Sequence, residues 1–411
     1  MDQVSLVVVG AGLRGQGYAE RAVTSGGAKI VAVAEPDPGR RERFAARYGV
    51  EHTFADWREL VAAGRLADAA IVATPDQVHT GPVIALADLG YHLLAEKPLA
   101  PTEDDGERIQ EAIDRNRVLF VLCHVLRYTP YTHALKQLLD AGRIGEVVSV
   151  QHLEPVGWWH QAHSFVRGEW SNSKTSSPML LAKACHDLDW LLYLMGRPVR
   201  RVSSFGRLTH FRASSRPAEA ADRCLDCPLQ DTCAYSATRL YFDCLGDPDR
   251  EFWPLSAVTS DHTVEGVTEA LRTGPYGRCV YDSDNDVVDH QVVSLEFADG
   301  ATGSFTMTAF TPFELRKTRL FGTQGYIDGD GVTLRVVDFR TGAEETVVTA
   351  ETSLSADHTD GDHELVDRFL AAVASGDRSG LDSDAASALA GHRVVWAAER
   401  ARLSGTVVEL R

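Results

Sequence analysis

The sequence predicts an α/β fold in which an N-terminal Rossmann-type domain, with a doubly wound parallel sheet, precedes a second α/β domain with mainly antiparallel strands. Strand and helix patterns alternate through the first 127 residues, and this alternation fades from about Pro130. Further on, residues 286–298 and 302–310 have strand patterns joined by Asp299-Gly300, which is a hairpin signal. The predicted domains are therefore 1–127 and 128–411, the second with a cysteine-containing insertion at about 207–250.

The composition is typical of a globular protein. A length of 411 residues suits two domains, and the fractions of hydrophobic (44%) and charged (24%) residues suit packed cores with a solvated surface. The net charge of −17 argues against a nucleic-acid partner, because phosphate backbones are bound by clustered Lys and Arg.

Nothing in the sequence predicts membrane attachment or secretion. The chain contains no run of eighteen apolar residues, and its N-terminus, MDQVSLVVVGAG, lacks the basic region and cleavage site of a signal peptide. The odd count of seven cysteines gives no disulfide framework. We therefore expect a soluble cytoplasmic protein with no membrane partner.

A glycine-rich turn follows the first predicted strand, residues 4–9, and opens a predicted helix. Gly10 permits the tight turn, Gly12 lets the backbone approach a pyrophosphate, and Gly15 lets the helix pack closely on the strand. Glu35 ends the next strand, where a carboxylate accepts hydrogen bonds from ribose hydroxyls. Strand, glycines, helix, strand and acid together predict a nicotinamide dinucleotide site.

The same pattern bears on which dinucleotide binds. Glu35 favours NAD, because its carboxylate would repel the 2′-phosphate of NADP. Arg40 and Arg41 follow closely, and their positive charges weaken this preference, so NADP is the alternative cofactor. The other interpretation of both arginines is a solvated helix face. Ligands bind beyond the carboxyl ends of parallel strands, so residues at these ends complete the site. The predicted cofactor-binding residues are Gly10, Gly12, Leu13, Arg14, Gly15, Glu35, Thr74, Pro75, His79, Glu96 and Lys97.

Six motifs in the first half of the chain carry a family resemblance: GAGLRG at 10–15, AEPD at 34–37, ATPDQVH at 73–79, AEKPL at 95–99, LRY at 126–128 and HDLDWLLYLMG at 186–196. In these motifs the sequence resembles the Gfo/Idh/MocA family, the glucose–fructose oxidoreductase and inositol dehydrogenase group. The resemblance implies a Rossmann domain joined to a C-terminal α/β domain with an open, mainly antiparallel sheet. It also implies NAD(P)-dependent oxidation or reduction of a sugar, inositol or related polyol.

The resemblance also implies catalytic roles. The family's EKP lysine, matched by Lys97, contacts nicotinamide ribose and substrate, and a histidine matched by His186 acts as acid/base. Many members have an aspartate four residues before that histidine, where this sequence has Ala182 with Lys183 beside it. Lys183 and His186 are three residues apart on a predicted helix and share a face. Lys97, His186 and Lys183 are the predicted catalytic residues, with Lys183 serving a proton relay or recognising an anionic substrate.

An aromatic, histidine-rich stretch precedes the predicted catalytic helix. Sugar sites use aromatic faces for the apolar side of the ring and a few polar groups for the hydroxyls. The other interpretation is a structured loop in which the tryptophans anchor the core. With the matched family motifs included, the predicted substrate-binding residues are Arg127, Tyr128, Trp159, His160, His163, Arg167 and Asp187.

Cys224 and Cys227 form a CxxC pair, and Cys233 follows six residues later. Thiolates at this spacing suit a structural tetrahedral zinc, with Cys244, Cys279 or His210 as candidates for the fourth ligand. The alternative is three reduced structural cysteines.

Three functions follow from these observations. The first is an NAD-dependent sugar or polyol dehydrogenase. The second is a redox-neutral, NAD-dependent glycoside-cleaving enzyme that works through a transient 3-keto sugar. The third is a dinucleotide-binding regulator without catalysis, which the presence of both Lys97 and His186 disfavours. An open sheet leaves one face uncovered, so we also expect a homodimer or homotetramer joined through it.

Overall fold

A computed structural model of the protein describes residues 3–349 and 356–410. Six parallel strands form the first sheet. The sheet has the strand order β3-β2-β1-β4-β5-β6, and the order reverses between β1 and β4. In open α/β sheets, ligands bind at such a reversal, beyond the carboxyl ends of the strands. Its elements are β1 (Val4–Val9), α1 (Leu13–Thr24), β2 (Ala28–Ala34), α2 (Pro38–Tyr48), β3 (His52–Phe54), α3 (Trp57–Ala62), β4 (Ala69–Val72), α4 (Thr80–Asp88), β5 (His92–Ala95), α5 (Glu103–Asn116) and β6 (Phe120–Leu122).

Nine strands form the second sheet, in the order β14-β13-β12-β11-β7-β10-β9-β8-β15. Only β7 and β10 are parallel neighbours among these strands, so the predicted, mainly antiparallel sheet is confirmed. The remaining elements are α6 (Pro130–Asp140), β7 (Val147–Pro155), α7 (Met179–Met195), β8 (Val199–Arg207), α8 (Ala237–Phe242), α9 (Val264–Thr273), β9 (His290–Phe297), β10 (Thr302–Thr308), β11 (Lys317–Gly322), β12 (Gly325–Gly329), β13 (Thr333–Asp338), β14 (Glu344–Val348), α10 (Ala356–Ser375), α11 (Ala385–Ser404) and β15 (Val408–Glu409). Shorter helical turns and a π-helix, Gln161–Arg167, lie between them.

Helix α7 carries the predicted catalytic residues and is buried along most of its length. Leu180, Leu188 and Leu191 belong to one buried cluster with residues of both sheets, so the helix forms part of the contact between the two halves of the chain. Gly196, at φ +63°, ends the helix in the left-handed conformation that favours glycine.

The C-terminal helix α10 returns to the first sheet. Leu365, Val366 and Phe369 pack in the same buried cluster as Leu6 and Tyr18. Helix α10 therefore contributes to the core around the first sheet, although most of the second sheet precedes it in the chain. No helix within the described residues is both long enough and apolar enough to cross a membrane.

Candidate functional site

The glycine turn after β1 has the geometry of a phosphate cradle. Gly10 has φ +93°, and a Cβ there would lie 2.4 Å from the carbonyl oxygen of Ala73. A Cβ at Gly15 would lie 2.0 Å from the Gly10 carbonyl oxygen, whereas one at Gly12 would meet nothing within 4 Å. Gly10 and Gly15 are thus required by close packing. The open space at Gly12, where α1 begins at Leu13, fits a dinucleotide pyrophosphate.

Glu35 is buried at the carboxyl end of β2. Its carboxylate accepts hydrogen bonds from the backbone N–H groups of Ala11 (2.8 Å) and Asp37 (3.0 Å). The side chain is thereby fixed beside the glycine turn, at the position that reads the adenosine ribose in Rossmann domains. Arg40 lies 3.6 Å from the same carboxylate, in position to partly offset its charge.

Polar side chains at the ends of β4 and β5 complete this edge of the first sheet. The hydroxyl of Thr74 and Nδ1 of His79 are 3.0 Å apart, and Pro75 begins the turn between them. Glu96 accepts hydrogen bonds from Nε of Arg14 (2.5 Å) and from the hydroxyl of Tyr18 (2.8 Å). Burial raises the pKa of Glu96, but Arg14 and Lys97 lower it further, so the pKa lies below its ordinary value. Glu96 is therefore an anion that holds Arg14 beside the glycine turn.

Arg14 also connects this edge to the end of the chain. Its guanidinium pairs with Asp362 of α10 in addition to Glu96. Its side chain is about half exposed, and both of its partners are carboxylates. A buried His79 beside this edge has a lowered pKa, chiefly because burial disfavours its charged form, so it is neutral near pH 7.

The three predicted catalytic residues gather at the start of α7. Lys97 Nζ donates a hydrogen bond to the carbonyl oxygen of Ala182 at 2.6 Å. Lys183 Nζ lies 3.0 Å from Glu154 Oε1, and His186 Nε2 lies 2.9 Å from Nη2 of Arg316. The lysine of the first sheet thus meets the helix that carries Lys183 and His186.

Arg316 connects the acidic and basic groups of this cluster. A guanidinium can only donate, so Nε2 of His186 accepts its hydrogen bond and is the unprotonated nitrogen of the ring. Nε of Arg316 also pairs with Glu154 at 3.0 Å and with Asp187. In this structure the basic nitrogen of His186 therefore faces the Arg316 guanidinium.

Asp187 is fully buried and accepts hydrogen bonds from His152 and Arg316. Burial raises the pKa of Asp187, but Arg316 and the hydrogen bond from His152 lower it well below the ordinary value. Asp187 is an anion that positions Arg316. Its contacts within the described residues are to His152, His186 and Arg316, and its predicted direct role in substrate binding stays a prediction.

Glu154, His152 and Arg316 are absent from the residues predicted from the sequence. Glu154 and His152 lie on β7, and Arg316 immediately precedes the neighbouring strand β11. The register pairs Thr318 with His152, which brings Arg316 to the end of β7. Only the pairing of two strands far apart in sequence creates this arrangement.

Three residues predicted to bind substrate make contacts inside the protein. Arg127 is buried in a bidentate pair with Asp189, and the hydroxyl of Tyr128 contacts Ser383 at 3.0 Å. Arg167 donates to the carbonyl oxygens of Arg278 and Tyr235, each at 2.8 Å. Buried charges and hydroxyls need internal partners, and each of these three side chains makes at least one such contact in this structure, so their part in substrate binding stays a prediction.

The aromatic stretch contains both buried and accessible residues. Trp159 and His160 pack with Trp253 and Phe313, with ring centroids 4.9 to 6.2 Å apart. His163 is buried, with Nδ1 2.8 Å from the hydroxyl of Tyr241. Burial, and then Arg167, lower the pKa of His163 to about 3, so this ring is neutral at physiological pH. Trp159 and His160 thus remain candidates for substrate contact, whereas His163 supports the fold.

The cysteine-rich segment forms a second, separate site. Cys224, Cys227, Cys233 and Cys279 line one cavity of about 380 Å³. Burial raises the pKa of the Cys233 and Cys279 thiols, which favours the protonated form when no cation is bound. Cys244 does not line the cavity, and its Sγ contacts the carbonyl oxygen of Leu240.

His124, Cys185 and His392 place their ligand atoms within 4.8 Å of one another. Nε2 of His392 accepts from the N–H of Leu99, and its Nδ1 donates to the carbonyl oxygen of Ala388. Because both ring nitrogens of His392 are occupied, this group is a structural network and not a metal site.

Comparison with known proteins shows the family to which the chain is related. The Gfo/Idh/MocA oxidoreductase-family model for the NAD-binding Rossmann fold matches residues 4–124, and the model for the family's C-terminal alpha/beta domain matches residues 136–410. The chain is similar to scyllo-inositol 2-dehydrogenase (NAD(+)) of Bacillus subtilis, at 27% identity over 67% of this chain and 69% of that protein. It is also similar to the 2,7-anhydro-N-acetylneuraminate hydratase of Mediterraneibacter gnavus, at 28% identity over 50% of this chain.

The match spans only 53% of the length of that hydratase. Among solved structures, an oxidoreductase from Agrobacterium radiobacter in complex with NAD+, L-tartaric acid and magnesium superposes with a TM-score of 0.72. That comparison covers 99% of this chain and 98% of the other at 16% identity, and it shows a shared fold.

Proposed function

Because the chain belongs to the Gfo/Idh/MocA oxidoreductase family, we propose that it transfers hydride between NAD and a CH–OH group of a sugar, inositol or sugar derivative. The observation that supports this proposal is the meeting of Lys97 with the helix that carries Lys183 and His186. The lysine comes from the NAD-binding half of the chain, and the histidine presents a basic nitrogen.

Each residue of the cluster has a role in this proposal. Bound nicotinamide supplies a carbon that accepts hydride. Lys97 holds a proton and orients the substrate hydroxyl, and Nε2 of His186 removes the hydroxyl proton. The Arg316 guanidinium occupies that nitrogen in this structure, so substrate must displace its hydrogen bond. Lys183, paired with Glu154, contributes a second basic group at the helix start.

We propose NAD as the cofactor, held by the glycine turn and by Glu35, with NADP as the weaker alternative. Arg14, Thr74, His79 and Glu96 complete the cofactor edge. Residues 1–127 form the cofactor-binding unit in this proposal, and residues 128–411 form the substrate-binding and oligomerisation unit.

A redox-neutral reaction is the second candidate. The similarity to a 2,7-anhydro-N-acetylneuraminate hydratase favours it, because that relative's name describes the addition or loss of water. The charged pair of Lys183 and Glu154 could provide the additional acid and base that such a reaction needs. In this case NAD remains with the protein and no net NADH forms.

One experiment separates these candidates. The purified protein is incubated with NAD and a panel of inositols, sugars and sugar acids, and NADH is followed by its absorbance. Substrate-dependent NADH formation supports the dehydrogenase. Cleavage of an aryl glycoside without net NADH supports the redox-neutral enzyme, and no conversion of any compound contradicts both.

Two exposed apolar residues of the second sheet support a proposal of self-association. The outer face of the second sheet exposes Phe205 and Val292, which are register partners on β8 and β9. We propose a homodimer or homotetramer joined through this face, located in the cytoplasm, where NAD and reduced thiols are available.

We propose, finally, that the cysteine-lined cavity holds a metal centre with a structural role, as the zinc-like spacing predicts. None of Lys97, Lys183 and His186 lines that cavity, so the centre is separate from hydride transfer.

A further inference from the structure

We propose that Cys224, Cys227, Cys233 and Cys279 bind a four-iron, four-sulfide cluster. This inference rests on the structural metal centre proposed above and adds its ligands and its chemical class. It does not depend on the dehydrogenase activity.

The fold brings four thiols from two distant segments to one cavity. Three of the cysteines lie between residues 224 and 233, and the fourth, Cys279, follows α9. An antiparallel bridge joins Arg223 to Arg278, and the N–H of Cys279 donates to the carbonyl oxygen of Asp222 at 2.8 Å. The cavity wall therefore contains one complete set of four cysteine ligands, as four-iron clusters require.

The structure distinguishes Cys279 from the other two candidates for the fourth ligand. Cys244 lies outside the cavity, with its Sγ against the Leu240 carbonyl oxygen. His210 lines the cavity, but its Nε2 is 3.1 Å from the hydroxyl of Tyr281. Cys279 is thus the cavity residue whose thiol is available to complete the set.

The spacing of the sulfur atoms favours a cluster over a single zinc ion. Zn–S bonds of about 2.3 Å hold any two ligating sulfurs within about 4.6 Å of each other. Among the residues that the structure describes, no three of the four cysteines have sulfur atoms mutually within 4.8 Å. A four-iron cluster holds one thiolate on each iron and so keeps its sulfurs farther apart around a larger volume. The cavity of about 380 Å³ whose wall includes the four cysteines has room for such a cluster.

The surroundings of Arg167 are independent evidence that the cysteine-lined cavity binds an anion. It is 96% buried, lines the cavity, and its Nη2 lies 3.4 Å from Sγ of Cys224. Its Nη1 is buried without a hydrogen-bond partner among the described residues. An unpaired buried guanidinium nitrogen is costly, whereas a thiolate-ligated cluster is anionic and its sulfides accept hydrogen bonds. Arg167 therefore neutralises and orients the bound cluster.

The test is to purify the whole protein without oxygen and to measure iron, acid-labile sulfide and zinc. We expect about four iron and four sulfide per chain, with visible absorption that bleaches on reduction. About one zinc without sulfide would overturn the cluster and leave the structural metal centre intact. No metal, even after reconstitution with ferrous iron and sulfide, would overturn both.

Two variants sharpen the test. Cys279→Ala should lose most of the iron and the visible absorption, whereas the matched control Cys244→Ala should keep both. Equal iron content in the two variants would overturn the assignment of Cys279. Arg167→Gln should lower the reduction potential of the cluster, because reduction adds negative charge beside a guanidinium that is no longer present. Retained NAD binding by each variant would show that the first sheet is still folded.

Discussion

Lys97 Nζ donates its hydrogen bond to the carbonyl oxygen of Ala182, one turn before His186 on the same helix. A carbonyl oxygen only accepts hydrogen bonds and does not take up a proton near neutral pH, so residue 182 cannot serve as a proton relay for Lys97. In many proteins that this chain resembles, an aspartate at this position could take part in a relay. In the proposed reaction, the imidazole of His186 is therefore the group that exchanges the substrate proton.

Replacement of Lys97 by Met should therefore abolish most of the activity without preventing NAD binding. The variant loses the cation that orients the substrate, and we expect kcat to fall by roughly 10²- to 10⁴-fold. Steady-state kinetics together with NAD titration by calorimetry measures the two effects. Lys29→Met, an exposed lysine of β2, is the control and should keep the original rate. Equal activity in both variants would show that Lys97 has no catalytic part.

The sequence signals for the cofactor half of the site are local. Gly10, Gly12 and Gly15 follow one strand within six residues, and the structure shows the close contacts that exclude a side chain at Gly10 and Gly15. Glu35 similarly ends a strand that the apolar pattern identifies. Each of these features depends on one short segment and on its backbone conformation.

The substrate half is harder to predict because its contacts join distant segments. Arg316 meets His186 across 130 residues, through the pairing of β7 with β11. Arg167 lies among the predicted substrate-binding aromatics, but the π-helix Gln161–Arg167 directs it to the cysteine cavity. No periodicity of the sequence encodes the direction of a side chain after such a turn.

Glu35 should set the preference for NAD. Glu35→Ser removes a buried carboxylate that would accept hydrogen bonds from the ribose hydroxyls. In the wild type Arg40 lies 3.6 Å from this carboxylate, so the variant also leaves Arg40 without its partner. We expect kcat/KM with NAD to fall about 10- to 100-fold, as for the loss of a hydrogen bond to a charged group. The ratio of kcat/KM for NADP to that for NAD should rise. An unchanged ratio would contradict the role of Glu35.

The exposed apolar face of the second sheet should mediate self-association. Phe205 is 69% exposed opposite Val292, which is 39% exposed. Phe205→Asp places a charge on that face and should shift the oligomer toward the monomer mass of 44.9 kDa in light scattering. Phe252→Asp, at a phenylalanine that is 63% exposed and follows the insertion, should leave the mass unchanged. A wild-type protein that is already monomeric would contradict the proposal.

His392 should make the protein sensitive to mild acid. Burial lowers its pKa to about 3, below an ordinary value of 6.5, so the unfolded chain binds the proton more readily than the folded one. The contribution of the neutral ring to the free energy of unfolding is fully present above pH 6.5 and is lost as the pH falls toward 3. Between pH 6.5 and 5 the expected loss is about 2 kcal/mol in the free energy of unfolding.

Urea unfolding across this pH interval measures the loss. His392→Asn should be less stable at pH 7, because the hydrogen bonds to Leu99 and Ala388 are disturbed, but its stability should vary less between pH 6.5 and 5. The exposed His52 offers a control, since His52→Asn should keep the wild-type pH dependence. The same slope in wild type and His392→Asn would refute the assignment.

Glu154 should determine whether the site prefers neutral or acidic substrates. It pairs with Lys183 and with Arg316, so the two cations beside His186 share the negative charges of Glu154 and Asp187. Glu154→Gln keeps the shape and removes one of these charges, which leaves the cluster with one uncompensated positive charge. A substrate carboxylate would then be attracted, and the ratio of kcat/KM for a sugar acid to that for its neutral sugar should rise about tenfold or more.

Glu345→Gln, which removes an exposed carboxylate of the same sheet paired with Arg143, should leave that ratio unchanged. A wild-type enzyme that already prefers sugar acids, with no further gain in Glu154→Gln, would show that Lys183 recognises an anion despite its partner.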